Sequence, residues 1–440
     1  MLELLGSGLV SLWLEMAGVQ IKPIETLNML ARPCSPSLIL TPDPNPVGAI
    51  TVQEYFQELL KTKLVDQNLL PNQGIWLQSG PMLIANHQGS TPLPAASLTK
   101  IATSLVAFKT WGPDHQFETL VSTTGSLVNG VVTGDLVVNG GGDPLFVGEE
   151  AIAVANTLNK MGIKQVKGNL VITGNFAVNF QRNPLLAGQL LKQILNYQTW
   201  NRQSIFQYSI MPKGTLKPHI VINGTVKLGT TTTQKQTLLV RHLSLPLKQI
   251  LKEMNVFSNN EMAEMLAQSV GGADVVKSTA AQIAGVPPAE IQLINGSGLG
   301  TSNQISPRAI CAMLIALQRE ASNYNLTLSD LFLMSGFDHR GTVHSRHLPM
   351  ATVIKTGTLN NVSTLAGVLP TRDRGLVWFA ILNRGGNVSR FRAEQDKFLQ
   401  HLVQQLHPLA GIPPELTPHS AKNSLPLLGA ANRNEILYPG

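Results

Sequence analysis

The 440 residues carry an ordinary globular share of apolar side chains (43%) and enough length for two or three domain cores. The formal net charge of +7 admits an anionic partner. No Lys/Arg block and no basic stripe interleaved with aromatics is present, so no nucleic-acid partner is expected, and Cys34 and Cys311 stand in no C-x-x-C or Cys/His spacing, so no disulfide framework or cysteine metal site is indicated.

Met1 to Val19 is mostly apolar. Its length suits a secretory signal, but it lacks a basic start and contains Glu3 and Glu15, so a cleaved signal, an anchor and a misplaced start all stay open, and membrane association with them. Leu30-Ala31-Arg32-Pro33 before Cys34 makes a poor lipoprotein cleavage site. No other stretch is long and charge-free enough to span a bilayer. Residues 20–48 are Pro-rich and read as a linker. Tyr55, Leu59, Leu60 and Leu64 give helical spacing over Thr51 to Leu69. Gly74 to Ser79 and Pro81 to Ala85 read as two strands joined by a Ser-Gly turn.

Next comes Pro94-Ala95-Ala96-Ser97-Leu98-Thr99-Lys100. Leu98, Ile101, Ala102, Leu105 and Val106 recur at i, i+3, i+4, i+7 and i+8, the stripe of a helix buried on one face. Ser97 falls in its first turn, where free N–H groups and the positive dipole end favour developing negative charge. Lys100 returns to the same face three residues on. With its pKa lowered by burial or a neighbouring cation, its amine could take the serine proton. An ordinary helix start with a surface lysine is the simpler reading of an isolated S-x-x-K.

From Asp114 to Leu243 apolar residues alternate with Gly and Asn turns, as in Gly134-Asp-Leu-Val-Val-Asn139 and Gly168-Asn-Leu-Val-Ile-Thr-Gly174. This reads as a β-rich insertion. Gly140-Gly141-Gly142 has no lysine at phosphate-loop spacing and reads as a turn, with Asp143 a turn residue. Helical spacing resumes at Leu245. Ser258-Asn259-Asn260-Glu261 opens a second helix, and Ser258-x-x-Glu261 also fits a capping box. Asn295-Gly296-Ser297-Gly298 is a loop. Ser306-Pro307 starts a helix with Pro in its first turn and Cys311 in its core pattern. Thr352 to Gly357 is a strand carrying Lys355-Thr356-Gly357. Strands at 364–369 and 376–382 flank the turn Thr371-Arg-Asp-Arg-Gly375. Phe391, Phe398, Leu399, Leu402, Val403 and Leu406 make a last amphipathic helix, and the Pro-rich tail after His407 is expected to be extended or partly disordered. His339, His344 and His347, with Arg340 and Arg346, read as a solvated loop rather than a metal site.

Three motifs stand in order, each occurring once: Ser97-x-x-Lys100, Ser258-x-Asn260 and Lys355-Thr356-Gly357. This set resembles the known signature of penicillin-binding proteins and class A β-lactamases. With Gly74-Ile-Trp-Leu-Gln-Ser, Gly134-Asp-Leu-Val-Val-Asn-Gly-Gly-Gly-Asp-Pro-Leu, Asn295-Gly-Ser-Gly-Leu, Ser306-Pro-Arg-Ala and Lys355-Thr-Gly-Thr-Leu-Asn-Asn-Val-Ser, the chain resembles the class C low-molecular-mass penicillin-binding proteins, D-alanyl-D-alanine carboxypeptidases/endopeptidases of peptidase family S13. The resemblance covers residues 74 to 383. Departures are Ser-Asn-Asn for the common Ser-Asp-Asn and Asn295 where Asp is frequent. An insertion of about 130 residues is short beside the longest members.

The resemblance implies an α/β (α+β) fold: a penicillin-binding/β-lactamase-like transpeptidase domain with an antiparallel sheet and a helical lobe, at 49–113 and 244–407. The inserted β-rich domain would be 114–243, between an N-terminal segment and linker (1–48) and a Pro-rich tail (408–440). It also implies Ser97 as nucleophile, Lys100 as base, Ser258 as proton relay and Asn260 as the residue holding Lys100. Lys355, Thr356, Gly357 and Thr358 would bind the substrate carboxylate, with the N–H groups of Ser97 and Thr358 as oxyanion hole. No metal or cofactor is implied. The expected partners are peptidoglycan stem peptides and β-lactam antibiotics, met in the periplasm or elsewhere outside the cytoplasm. A β-lactamase-like hydrolase and a non-catalytic peptidoglycan-binding scaffold are the competing readings. The large insertion and the lack of a deacylating Glu motif argue against the first. Five intact motif residues argue against the second.

Overall fold

The computed structural model describes residues 40–229, 235–343, 345–419 and 427–438. The N-terminal apolar stretch and Cys34 lie outside the described residues. Among the described residues ten α-helices succeed one another: α1 (Val47–Lys61), α2 (Thr99–Trp111), α3 (Gly148–Lys160), α4 (Pro184–Ile194), α5 (Arg202–Ser209), α6 (Leu247–Val256), α7 (Asn260–Ser269), α8 (Ala273–Ala284), α9 (Pro307–Ser322) and α10 (Val388–Gln405).

A seven-stranded sheet runs in the order Thr41–Pro42, Met82–His87, Gly74–Ser79, Gly375–Arg384, Val362–Thr371, Val353–Leu359, Leu333–Met334. Its long strands alternate between two buried faces. Val377, Phe379 and Ile381 meet Tyr55 and Leu59 of α1 and Phe398, Leu399 and Leu402 of α10. Trp378, Ala380 and Leu382 face the other way, onto the cluster holding Leu105 of α2 and Ile310 and Met313 of α9. Burial on both faces explains why these strands read as nearly continuous apolar runs. α9 starts as its sequence requires: the Ser306 hydroxyl caps the Ala309 N–H at 3.0 Å, and Pro307 occupies a position that needs no donor.

Three expectations about this body change. The first helix begins at Val47 and ends at Lys61, and Gln67–Asn72 is a separate 3₁₀ turn. The linker expected over 20–48 includes Thr41–Pro42, a parallel edge strand on Met82 and Leu83. Proline there and at Pro46 costs nothing, because an edge and a helix start each have N–H positions without a partner. α2 is buried on every side from Thr99 to Phe108, not along one stripe. Its small side chains let four helices (α6, α7, α8 and α9) close around it, and its hydroxyls have partners inside: Thr103 donates to Gly296 O at 2.7 Å and Ser104 accepts from Asn255 at 3.0 Å.

The chain between α2 and α6 supplies five strands of a six-stranded sheet ordered Val226–Leu228, Leu170–Asn175, Leu136–Gly141, Glu118–Thr123, Thr237–Leu243, Asn434–Ile436. The segment expected to be β-rich also carries α3, α4 and α5. Ala151, Ile152, Ala155 and Leu158 of α3 pack on Val121, Val138, Leu170 and Ile172 of the sheet. The Gly/Asn turns around α3 and α4 dominate the composition there and mask their helical spacing. The last strand comes from the tail, so that part of 408–440 is not a free extension. Val240 pairs with Ile436, and Arg433 reaches the buried Glu150 at 2.5 Å. A three-residue strand between Pro-rich stretches leaves too little periodicity to see in the sequence.

Candidate active site

Ser97 lies in a 3₁₀ turn, Ala96–Leu98, just before α2 rather than inside its first turn. The turn is held tightly. Ala95 O accepts from Leu98 N at 3.1 Å and from the Thr364 hydroxyl at 3.0 Å, and Ala95 N donates to Asn303 O at 2.9 Å. Ala96 adopts φ +48°, a left-handed conformation costly for a residue with a Cβ and kept only where its surroundings fix it. Gly298, at φ +83°, lies so close that a Cβ there would overlap Ala96 O at 1.8 Å.

Lys100 is fully buried. Its Nζ stands 3.1 Å from Ser97 Oγ, 2.7 Å from Asn260 Oδ1 and 2.8 Å from Ser297 O. A backbone carbonyl can only accept, and the amide oxygen of Asn260 likewise. Two N–H bonds therefore point at Asn260 and Ser297. A neutral amine has its remaining lone pair for the Ser97 hydroxyl, as a general base requires. Burial pulls the Lys100 pKa from 10.5 down to about 7, against the opposing charge of Glu264. Of the two causes the sequence left open, burial or a neighbouring cation, burial is the main one.

Asn260 opens α7, but the helix cap is Asn259, whose side chain accepts from Met262 N at 3.0 Å. The capping-box reading of Ser258 and Glu261 is therefore corrected. Ser258 instead holds φ +52° in the link between α6 and α7, and its Oγ accepts from Lys355 Nζ at 3.0 Å. Lys355 is buried, and its second partner is Thr356 O at 2.8 Å. Burial first, and then the charge of Lys100, hold its pKa well below the lysine range.

Lys355, Thr356, Gly357 and Thr358 lie on the Val353–Leu359 strand. The outer neighbour of that strand pairs only with Val353 and Ile354, so the edge from Lys355 onward faces the site unpaired. On the inner side Gly357 opposes Thr364. A Cβ on Gly357 would come within 2.9 Å of Ser97 N and 3.0 Å of Ala95 O, so glycine is what lets the strand and the serine turn approach.

Several residues at the site were not anticipated. Glu264 accepts from the N–H groups of Ser297 (2.9 Å) and Gly296 (3.2 Å), fixing the loop whose carbonyl meets Lys100. Glu264 follows Asn260 by one helical turn, a spacing that marks it as a neighbour of that face. Thr342 accepts from the Thr356 hydroxyl at 2.8 Å, and Arg392 of α10 donates to Thr358 Oγ1 at 2.7 Å. These two come from distant sequence and carry no local signal. The loop around Thr342, expected to be solvated, is tied down: Arg340 pairs with Glu253 at 2.8 Å and the buried Arg346 with Asp396 at 2.7 Å. His344 lies outside the described residues. Among the described residues no group of three or more His, Cys, Asp or Glu side chains could hold a metal ion. Asp143 accepts from Leu145 N at 2.8 Å, as a turn residue, with burial pushing its pKa up to about 7.

The model of the D-Ala-D-Ala carboxypeptidase 3 (S13) family matches residues 62–184 and 186–405. The D-alanyl-D-alanine carboxypeptidase DacB of Haemophilus influenzae is 26% identical over 392 residues, covering 67% of this chain and 80% of that protein. Among solved structures, a penicillin G acylated predatory endopeptidase from Bdellovibrio bacteriovorus superposes with a TM-score of 0.68 at 24% identity, covering 82% of this chain and 98% of that one. Penicillin binding protein 4 of Haemophilus influenzae does so with a TM-score of 0.61 at 21% identity, covering 77% and 97%.

Proposed function

The chain belongs to the D-Ala-D-Ala carboxypeptidase 3 (S13) family, and from that premise we propose that Ser97 is the nucleophile of a serine D,D-peptidase acting on peptidoglycan stem peptides. The observation that carries the assignment of residues is Lys100: buried, with its pKa drawn down to about 7 so that half of the amines are neutral at pH 7, and 3.1 Å from Ser97 Oγ.

The substrate peptide lies along the open edge of the Val353–Leu359 strand, as an added strand would. Its terminal carboxylate meets Lys355 and the hydroxyls of Thr356 and Thr358, a point charge with neighbouring donors. Ser97 gives its proton to Lys100 and attacks the carbonyl between the two D-alanines. The oxyanion is held by the N–H groups of Ser97 and Thr358, brought together by the Gly357 contact. Ser258, hydrogen-bonded to Lys355, passes a proton to the leaving amine. Asn260 and Ser297 O orient the Lys100 amine throughout. Water then releases the acyl group. β-Lactams present the same kind of amide and acylate Ser97. The reaction takes place outside the cytoplasm, in the periplasm or its equivalent. Among the described residues no helix is long and apolar enough to cross a membrane.

We assign residues 49–113 and 244–407 to the catalytic body and 114–243 to the insertion. The end of the tail joins the insertion through Asn434–Ile436.

The test is covalent labelling by a fluorescent penicillin, read by denaturing gel and intact mass. The wild type should gain one stable adduct and Ser97→Ala none. No adduct on folded wild type would refute acylation. Rapid turnover without an accumulating adduct would replace the peptidase with a β-lactamase.

A further inference from the structure

The positive charge of the chain is concentrated. Between Glu150 and Glu253 there is no Asp or Glu, while thirteen Lys and Arg occur. Of these, Arg182, Arg241, Lys248 and Lys252 pair with acids from outside the stretch, whereas among the described residues Arg202, Lys213 and Lys217 make no such ion pair. That stretch supplies most of the insertion, including α5 and the turn that follows it.

α5 is amphipathic in the reverse sense. Its inward side is polar: Gln207 donates to Glu149 Oε2 at 2.9 Å and to Asn179 Oδ1 at 2.8 Å, and Ser204 is buried against the Asn201 cap. These bonds fix the roll of the helix. Its outward side carries Arg202 with Ile205 and Phe206, which are 55% and 64% exposed. The turn that follows carries Ile210 (61% exposed) and Leu216 (65%) together with Lys213 and Lys217. The turn is rigidly attached: Tyr208 Oη donates to Thr215 O at 2.7 Å, and Lys217 Nζ stands 5.6 Å over the Tyr208 ring. Four large exposed apolar side chains and three cations are thus gathered on the knob of α5 and the turn that follows it. An exposed cluster of this kind marks an interaction surface.

We propose that this knob docks the protein on an anionic phospholipid bilayer. Apolar side chains that enter the interface together with flanking Lys and Arg are what peripheral binding to such a surface requires. A soluble polyanion would use the cations and leave Ile205, Phe206 and Ile210 idle. A single protein partner would not call for a hundred residues without an acid. The contact is peripheral, because the knob is one short helix and a turn.

The full chain is tested by co-sedimentation with phosphatidylcholine vesicles made with and without phosphatidylglycerol. Binding should be at least about tenfold stronger with phosphatidylglycerol and should weaken as salt rises. Phe206→Ser with Ile210→Ser, and separately Lys213→Glu with Lys217→Glu, should each reduce binding about tenfold or more. Unchanged penicillin labelling shows that each variant is folded, since none of these residues lies at the active site. The proposal falls if the wild type ignores phosphatidylglycerol vesicles. It falls equally if Phe206→Ser with Ile210→Ser binds as wild type does, which would indicate charge-only attraction to a polyanion. A dimer that this pair dissociates, with no vesicle binding, would assign the face to a second copy instead.

Discussion

Changing the pH perturbs Lys100 without altering the site. A lysine at its ordinary 10.5 leaves roughly one amine in 3,000 neutral at pH 7, whereas a group at about 7 leaves half of them neutral. The difference corresponds to about 5 kcal/mol of deprotonation cost, met when the amine is buried during folding rather than at each turnover. The rate of acylation by a fluorescent penicillin should therefore climb roughly tenfold per pH unit below about pH 6, reach half its maximum near 7 and level off above about 8. Lys100→Arg, which stays charged, should be slower by about 10³ and show no such rise. Glu264→Gln should move the half-maximum to lower pH, because Glu264 raises the Lys100 pKa, while the glutamine oxygen can still accept from Ser297 N. A rate that is flat between about pH 5.5 and 8, or that falls as pH rises, would refute the role given to Lys100. Stability should follow the same sign. The folded pKa values of Lys100 and Lys355 are depressed, so the unfolded chain binds more protons and stability rises with pH between about 7 and 10.5.

Gly357→Ala would press a methyl group on Ser97 N and Ala95 O, both backbone. Acylation should fall by about 10² while overpacking costs about 1–3 kcal/mol, measured by labelling rate and urea unfolding on the same sample; wild-type acylation would show that the strand and serine turn need not touch. Arg433→Ala would leave Glu150 buried and uncompensated, with a loss of about 3–5 kcal/mol, most of it restored by adding Glu150→Gln. Urea midpoints should show this with the labelling rate unchanged, and a midpoint equal to wild type would mean that the tail contributes nothing to the fold.

Local chemistry made much of the architecture legible. Ser306 and Pro307 announce a helix start that is present atom for atom. The spacing of Phe391, Phe398, Leu399 and Leu402 announces α10, and all four are buried. The turn at 371–375 separates two strands that pair from Val362 to Thr371 and from Gly375 to Arg384. α5 is illegible for a different reason: Ser204 and Gln207 are its buried residues while Ile205 and Phe206 are exposed, so its pattern contradicts its burial.

By itself the sequence determined the three motifs, their order and the elements that carry them, because helix and strand periods, caps and turns depend on near neighbours. Only the tertiary structure decided what those motifs do to one another. Lys100 and Asn260 meet across 160 positions, and Lys355 and Ser258 across 97. The burial that brings Lys100 to about 7 comes from helices packing all around α2. A pKa is set by everything within a few ångströms, and in this fold most of those neighbours are far away along the chain.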